Sequence, residues 1–256
     1  MDRQKLVAIA HSNHPISAPV NDSKVDDLLS RTIRRPDAHV LDLGCGEGAW
    51  LLRALQAYPG ITAVGVDISK ERFDQTLESA ARLGIADRLE LIQQDVKEYR
   101  SSRKADVVLS VGAAYAFGEL LPTLQAARKH LADDGLFLLG DCFWECEPGE
   151  ALRAEMEEGS GPQKFTDLPT LVDNVVADGW TPVFGHVSTQ TEWDDYEWSW
   201  TGTLAGWALD NPDHPDSEQL GRVSAEHRHG WLHGYRGVLG FVFLLLRRSR
   251  SHGTPG

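Results

Sequence analysis

A strand, a glycine-rich turn and a helix follow one another in the first quarter of the chain. Residues 38–43, AHVLDL, favour a β-strand, residues 44–48 are GCGEG, and residues 49–58, AWLLRALQAY, have the spacing of an amphipathic helix. Glycines at alternate positions let the backbone turn sharply and approach a ligand with no side chain between them. The segment therefore predicts a nucleotide-binding turn at the end of a buried strand.

The alternation of strand and helix continues to residue 141. Strands are predicted in ITAVGVD, RLELIQQD, ADVVLSVG and LFLLGD. One helix is predicted in SKERFDQTLESAARLG, with Ser69 as its N-cap and Arg72 in its first turns, and another in LPTLQAARKHLADDG, ending at Gly135. This order predicts an α/β fold, a doubly wound and mostly parallel sheet with helices on both faces. Ligands bind such sheets at the carboxyl ends of the strands.

The alternation becomes looser after residue 150. A helix is predicted in DLPTLVDNVVADG, a strand in TPVFGHVST, and an inserted helix in a segment that holds four of the eight tryptophans, residues 192–216. A length of 256 residues fits one domain. We predict an N-terminal lid at 1–37, a cofactor-binding core at 38–147, substrate-side helices and the last strands at 148–248, and a flexible tail at 249–256.

Charge and cysteine content exclude several classes of protein. A net charge of −13 opposes binding to a phosphate backbone, so no nucleic-acid partner is expected. The longest apolar run near the C-terminus, residues 238–246, is far shorter than the ~20 residues of a membrane-spanning helix. The start of the chain lacks a signal-peptide pattern, and three cysteines do not suggest a disulfide framework. These features predict a cytoplasmic protein, either a monomer or a homodimer.

The glycine turn alone does not distinguish two cofactors. Gly44, Gly46 and Ala49 also satisfy the looser fingerprint for NAD. The carboxylate of Asp42 favours S-adenosylmethionine (SAM), because SAM carries an ammonium and a sulfonium and lacks the pyrophosphate that a carboxylate would repel. Asp67 ends the second strand, where a carboxylate can accept hydrogen bonds from ribose hydroxyls of either cofactor.

Five segments in order, VLDLGCGEG, GVDIS, LIQQDV, ADVVLSVG and HLADDGLFLLGD, resemble the successive motifs of class I SAM-dependent methyltransferases. The resemblance implies a seven-stranded sheet whose last strand, YRGVLGFVFLLL, is antiparallel. HSNHPISAP and YRGVLGF also resemble, more loosely, actinobacterial small-molecule methyltransferases of largely unassigned substrate. The implied cofactor site comprises Asp42, Gly44, Cys45, Gly46 and Gly48 at the methionine moiety, Asp67 and Ile68 at the ribose, Asp95 and Val96 at adenine, and Ser110 and Gly112 beside the methionine.

Candidate catalytic and substrate residues lie in the predicted loops. His14, Tyr115 and Glu145 are candidates for the base that a hydroxyl or ammonium nucleophile requires. Trp144, Tyr235 and Arg236 are candidate substrate contacts, and Arg236 could instead pair with a neighbouring acid. No metal site is predicted, because among the C-terminal histidines only His229 and His233 are spaced to share a helical face.

The predicted function is transfer of a methyl group from SAM to an oxygen, nitrogen or carbon of a small molecule. Three alternatives stay open. The fold could catalyse intramolecular substitution or elimination on a natural-product intermediate without methyl transfer. It could bind SAM as the non-catalytic partner of another protein. A dehydrogenase that uses NAD is the third.

Overall fold

One twisted sheet forms the centre of the protein. The computed structural model describes residues 3–69, 73–159 and 164–249. The strands are β1 (His39–Leu43), β2 (Thr62–Asp67), β3 (Leu89–Gln93), β4 (Ala105–Val111), β5 (Leu131–Trp144), β6 (Trp180–Val187) and β7 (Leu239–Arg248). Their spatial order is β3-β2-β1-β4-β5-β7-β6, and β7 runs antiparallel to both of its neighbours. The predicted seven-stranded fold with an antiparallel last strand is confirmed.

Helices cover both faces of the sheet. They are α1 (Arg3–Ala10), α2 (Asp22–Thr32), α3 (Ala49–Ala57), α4 (Phe73–Arg82), α5 (Ala114–Phe117), α6 (Leu120–His130), α7 (Glu150–Gly159), α8 (Leu168–Ala177), α9 (Gln190–Asp210) and α10 (Ser217–Gly230), with a single π-turn at Trp231–Tyr235. Every residue of β1 is buried, and its side chains alternate between two cores: Val40 faces one, whereas Leu41 and Leu43 face the other. This two-sided burial explains the unbroken apolar runs in the sequence.

The strand order reverses between β1 and β4. The chain proceeds from β1 outward through β2 to β3 and then returns to place β4 on the other side of β1. The loops after β1 and β4 therefore diverge to opposite sides and leave a crevice between them, which is where ligands bind in sheets of this kind.

A helical layer lies beyond the carboxyl ends of the strands. The 21-residue helix α9 begins with a capping box, in which Thr189 and Glu192 satisfy each other's backbone N–H groups. Its apolar face meets α1 and α10 around Leu6, Leu204 and Leu220. The helices α1, α9 and α10 thus form one unit, which joins the N-terminal segment to helices from the last third of the chain.

Three expectations need correction or restriction. The helix expected to end at Gly135 ends at His130, because the buried Leu131 already pairs with Ala105 as the first residue of β5. Within the range 1–37, α2 packs in the main core, and the N-terminal lid stays a prediction. The expected positions of Arg72 and of the tail after 249 lie outside the described residues. No described helix has the length and apolar character needed to cross a membrane.

Candidate active site

A cavity of about 550 Å³ opens at the strand reversal. One wall follows the loop after β1, the end of β2 and the start of α3; it consists of Asp42, Gly44, Cys45, Gly46, Glu47, Ala49, Trp50, Asp67, Ile68 and Ser69. The opposite side is formed by the loop after β4, with Val111, Gly112 and Tyr115, and by the N-terminal segment, with Val7, His11, Pro15 and Ser17. The cavity therefore lies between the end of the sheet and the N-terminal segment.

The glycine turn lies on the first wall with its backbone exposed to the cavity. Gly44, Gly46 and Gly48 have φ angles of 83°, 53° and 65°, a region that suits glycine. The N–H groups of Gly44 and Cys45 donate to the carbonyl of Val66, at 2.8 and 3.1 Å. A Cβ atom at Gly44 would lie 2.5 Å from Cβ of Ala113, so the turn and the loop after β4 approach too closely for any side chain.

Asp67 organises this wall from the end of β2. Its Oδ2 accepts a hydrogen bond from the N–H of Gly46 at 2.9 Å, and its Oδ1 accepts one from the N–H of Ser69 at 2.9 Å. A carboxylate has about four acceptor positions, so both oxygens retain capacity for a ligand's hydroxyls. Asp67 therefore holds the turn in place and also offers acceptors to the cavity.

Asp42 places a second carboxyl on the same wall. It is only 2% exposed, and burial, together with the nearby Asp67, raises its pKa to about 7. No described residue donates a hydrogen bond to this carboxyl. A cation bound in the cavity would favour its ionised form, whereas a pyrophosphate would be repelled by both acids. The residues present thus fit the ammonium and sulfonium of SAM.

The N-terminal segment forms the opposite wall. His11 is 6% exposed and lies beside Tyr196 of α9, with ring centroids 5.8 Å apart. A Cβ at Gly112 would lie 3.6 Å from the carbonyl oxygen of Ser17, in ordinary van der Waals contact. Tyr115 is 59% exposed at the edge of the cavity. This wall therefore joins residues that are distant in sequence.

Sequence comparison identifies the family of this site. Residues 34–199, about two thirds of the chain, match the family model described as a methyltransferase domain. The chain belongs to the SAM-dependent methyltransferase family. The prediction of the family, which came from the strand-end motifs, is confirmed.

Full-length relatives share the methyltransferase fold. The chain is 30% identical to the uncharacterized protein YjhP of Escherichia coli K12, over 83% of this chain and 86% of YjhP. A SAM-dependent methyltransferase from Thiobacillus denitrificans, solved with S-adenosyl-L-homocysteine (SAH), is 28% identical, with a TM-score of 0.84 and coverage of 97% of this chain and 100% of that one. One from Geobacter sulfurreducens, also with SAH, is 27% identical, with a TM-score of 0.82 and coverage of 95% and 98%. The looser resemblance to actinobacterial enzymes stays a prediction.

Several residues predicted to bind the methyltransferase's cofactor lie away from the cavity wall. Gly48 begins α3, and a Cβ there would lie 3.0 Å from Thr76. The hydroxyl of Ser110 is buried and donates to the carbonyl of Leu43 at 3.2 Å. The carboxylate of Asp95 accepts from the N–H of Lys97 at 2.9 Å, and Val96 packs in the core. The adenine-side roles of Asp95 and Val96 stay predictions.

Of the three candidate bases, only Tyr115 lines the cavity. Nδ1 of His14 lies 2.7 Å from the carbonyl of Ile16, and its ring packs against Tyr196 rather than lining the cavity. Glu145 is exposed, and its N–H donates to the carbonyl of Val238. The structure brings His11, and not the predicted His14, to the cavity wall.

The three predicted substrate contacts also lie outside the cavity wall. Trp144 is buried edge-on against Phe165, with ring centroids 5.5 Å apart. Nε and Nη2 of Arg236 donate to the two carboxylate oxygens of Asp194, at 2.9 and 2.7 Å. Arg236 therefore pairs with a neighbouring acid, which was the alternative interpretation. The hydroxyl of Tyr235 donates to Glu197 at 2.7 Å.

Glu197 is the centre of a buried polar cluster in the helical layer. It is 2% exposed on α9; Oε2 lies 2.8 Å from Nε2 of His227, and Oε1 accepts from Tyr235. The ring of Trp200 stacks on His227 with centroids 4.0 Å apart. Hydrogen bonds of Glu197 thus connect α9 to α10, at His227, and to the π-turn that precedes β7, at Tyr235.

Cavity residues that the sequence did not indicate are Val7, Pro15, Ser17, Glu47 and Trp50. Glu47 lies within the glycine turn and Trp50 lies in the first turn of α3, so their position in or next to the turn was the available indication. Burial and the nearby Asp42 and Asp67 carboxyls raise the pKa of the Cys45 thiol, so this thiol is not activated as a nucleophile. Among the described residues no group of three or more potential ligands could hold a metal ion.

Proposed function

We propose that SAM binds against the first wall of this cavity and donates its methyl group to a small-molecule acceptor. The observation that carries this proposal is the pairing of a glycine-rich turn with two acidic residues, Asp42 and Asp67, on one wall of the cavity. When bound, SAM supplies an electrophilic methyl group attached to a sulfonium. Asp67 would accept hydrogen bonds from the ribose hydroxyls, Asp42 would balance the cofactor's positive charge, and Ile68 would cover the adenosine.

The acceptor is proposed to be a small molecule with an oxygen, nitrogen or carbon nucleophile. The N-terminal segment forms one side of the cavity, whose volume of about 550 Å³ suits small ligands. The formal charge of −13 opposes a nucleic-acid acceptor. The described cysteines, Cys45, Cys142 and Cys146, are all free thiols, which supports a proposed location in the reducing cytoplasm.

Calorimetric titration with SAH tests the cofactor site. The wild-type protein should bind SAH, and Asp67→Ala should weaken binding by about 1.5–3 kcal/mol, roughly 10- to 150-fold, because charge-assisted hydrogen bonds are lost at the ribose and at the turn. Asp67→Asn should fall between the two, since it keeps one acceptor oxygen. The matched control is Asp87→Ala at an exposed position far along the chain, which should bind as the wild type does.

Two results would overturn the cofactor proposal. One is absence of SAH and SAM binding by well-folded wild-type protein. The other is unchanged affinity in Asp67→Ala. Calorimetric binding of NAD in place of SAM would support the dehydrogenase alternative.

Transfer of a labelled methyl group tests the reaction. Incubation with methyl-labelled SAM and a low-molecular-mass metabolite extract should move label into an acceptor that is absent when the enzyme or the extract is omitted. Turnover of a metabolite without SAM would support the substitution or elimination alternative. Activation of a second polypeptide by a SAM-bound but inactive protein would support the non-catalytic alternative.

A further inference from the structure

His11 is the imidazole that the fold brings to the cavity wall. It follows the end of α1 and lies on the N-terminal side, whereas the glycine turn and both acids of the proposed cofactor site lie on the other side. A cofactor held against the turn would therefore have this imidazole on the side left for the acceptor. This placement rests on the proposed function of the cavity.

The other titratable groups on the cavity wall are less suited to remove a proton from an acceptor. Asp42 and Asp67 belong to the first wall, which holds the glycine turn and is called the cofactor wall from here on. Asp67 already accepts hydrogen bonds from two backbone N–H groups. Glu47 lies within the glycine turn on that same wall, and the pKa of the Cys45 thiol is raised by burial. Tyr115 is a phenol at the exposed rim. Imidazole is the side chain whose ordinary pKa suits proton transfer near neutrality.

Tyr196 fixes the position of the His11 ring. Its ring centroid lies 5.8 Å from that of His11 and 5.3 Å from that of His14, with its plane nearly perpendicular to that of His14. Trp193 also packs edge-on against Tyr196, at 6.3 Å. Burial and the neighbouring Glu197 raise the pKa of the Tyr196 phenol, so the phenol stays neutral and does not compete for the proton.

We propose that His11 is the catalytic base for an acceptor whose nucleophile is a hydroxyl or an ammonium, and that Tyr196 is its positioning residue. In the reaction the acceptor's N–H or O–H bond breaks and its proton passes to an imidazole nitrogen of His11. A bond forms between the nucleophile and the methyl carbon as the carbon–sulfur bond breaks, and that electron pair remains on sulfur. The acceptor class thus narrows to protic oxygen and nitrogen nucleophiles.

Histidine titration by NMR tests the placement without a known acceptor. The probes are SAH and sinefungin, an analogue with an ammonium group in place of the methylsulfonium centre. If His11 faces the transferred methyl, its titration midpoint should be at least about 0.5 pH unit lower with sinefungin than with SAH, because a nearby positive charge disfavours imidazolium. His14 is the internal control and should differ by less than about 0.2 unit, since its ring lies outside the cavity wall.

Two variants test the role of Tyr196. Tyr196→Phe keeps the ring and removes only the hydroxyl, to which no described residue hydrogen-bonds. This variant should retain the difference in the His11 titration midpoint between SAH and sinefungin. Tyr196→Ala should reduce that difference by about half or more, since the His11 ring loses its packing, while the affinity for SAH stays within about threefold.

The outcomes separate the two levels of the proposal. If both ligands bind and the His11 midpoint is the same with each, His11 is not the base. If the difference persists unchanged in Tyr196→Ala, Tyr196 has no positioning role. If neither SAH nor sinefungin binds the wild-type protein, the proposed function itself fails, and the assignment of His11 fails with it.

Discussion

The two walls of the cavity are built in different ways. The cofactor wall uses backbone groups and short acidic side chains from residues 42–69, brought together by two adjacent parallel strands. The N-terminal wall uses side chains from α1 and the segment after it. This segment packs against α9, almost 200 residues away in the sequence, where His11 and His14 contact Tyr196. The first wall depends on local sequence, whereas the second exists only after the whole chain has folded.

The two regions also differ in what they contribute to stability. The cofactor wall concentrates features that restrict substitution: positive φ angles that only glycine adopts readily, no space for a Cβ at Gly44, and a buried carboxyl at Asp42. In the helical layer behind the other wall, the buried carboxyl of Glu197 is paired with both His227 and Tyr235. Changes to the first wall should therefore alter ligand affinity most, and changes to the second should alter the free energy of unfolding most.

The sharpest test of this difference is a pair of glycine substitutions. Gly44→Ala places a Cβ 2.5 Å from that of Ala113 in a backbone conformation with φ of 83°, so the turn must open. The affinity for SAH, measured by calorimetry, should fall about 100-fold or more, close to 3 kcal/mol, because the turn loses its close approach to the ligand.

The matched control is Gly202→Ala on α9. A Cβ there meets no atom within 4 Å, so the change should leave SAH affinity unaltered and stabilise the helix by up to about 1 kcal/mol. Equal affinities in the two variants would contradict the role given to the turn.

The second prediction concerns the buried cluster of the helical layer. Glu197→Gln replaces one acceptor oxygen by an NH₂ group and removes the carboxylate charge, so the hydrogen bonds to Tyr235 and His227 are no longer charge-assisted. Urea denaturation should show a loss of about 2 kcal/mol in the free energy of unfolding, while SAH affinity stays within about threefold.

Glu218→Gln, at an exposed position in the first turn of α10, is the control and should change stability by less than about 0.5 kcal/mol. A large loss of SAH affinity in Glu197→Gln, without loss of stability, would show that the two regions are not separable in this way.

The fold and the cofactor wall could be predicted because each depends on short segments. The glycine turn directly follows β1, and Asp67 directly ends β2, so strand ends in a parallel sheet bring them to one edge. Ser110 shows the limit of this reasoning. Successive strand residues point to opposite faces, and since Val111 lines the cavity, Ser110 points away from it and binds Leu43.

The rest of the site could not be predicted, because its partners are distant in sequence. Arg236 binds Asp194 and Tyr235 binds Glu197 at separations of 42 and 38 residues, and no local pattern indicates either pair. The choice between His11 and His14 likewise depends on how α1 packs on α9. The sequence placed candidate residues on the correct edge of the sheet but did not determine which side chains face inward.

The smallest expected effect is a pH dependence of ligand binding at Asp42. Its pKa is raised to about 7 by burial and by Asp67, and a bound cation favours the ionised form. The affinity for SAH, whose ammonium is positive throughout, should therefore increase roughly tenfold between about pH 6 and pH 8, as the ionised fraction of Asp42 rises. Calorimetry across this range measures the change.

Asp42→Asn removes the titration and should give an affinity that varies little over the same range. The same group acts on stability with the opposite sign in the unliganded protein. Because the folded-state pKa exceeds the ordinary value of 3.8, the folded state binds the extra proton, and the contribution of Asp42 to stability is lost as pH rises from about 4 through 7. Asp42→Asn should therefore unfold at higher urea concentration than the wild type at pH 8, with a smaller difference at pH 5. A wild-type affinity that is flat with pH would show that the charge of Asp42 is not used in binding, and the cofactor wall would then depend on Asp67 and the backbone of the turn.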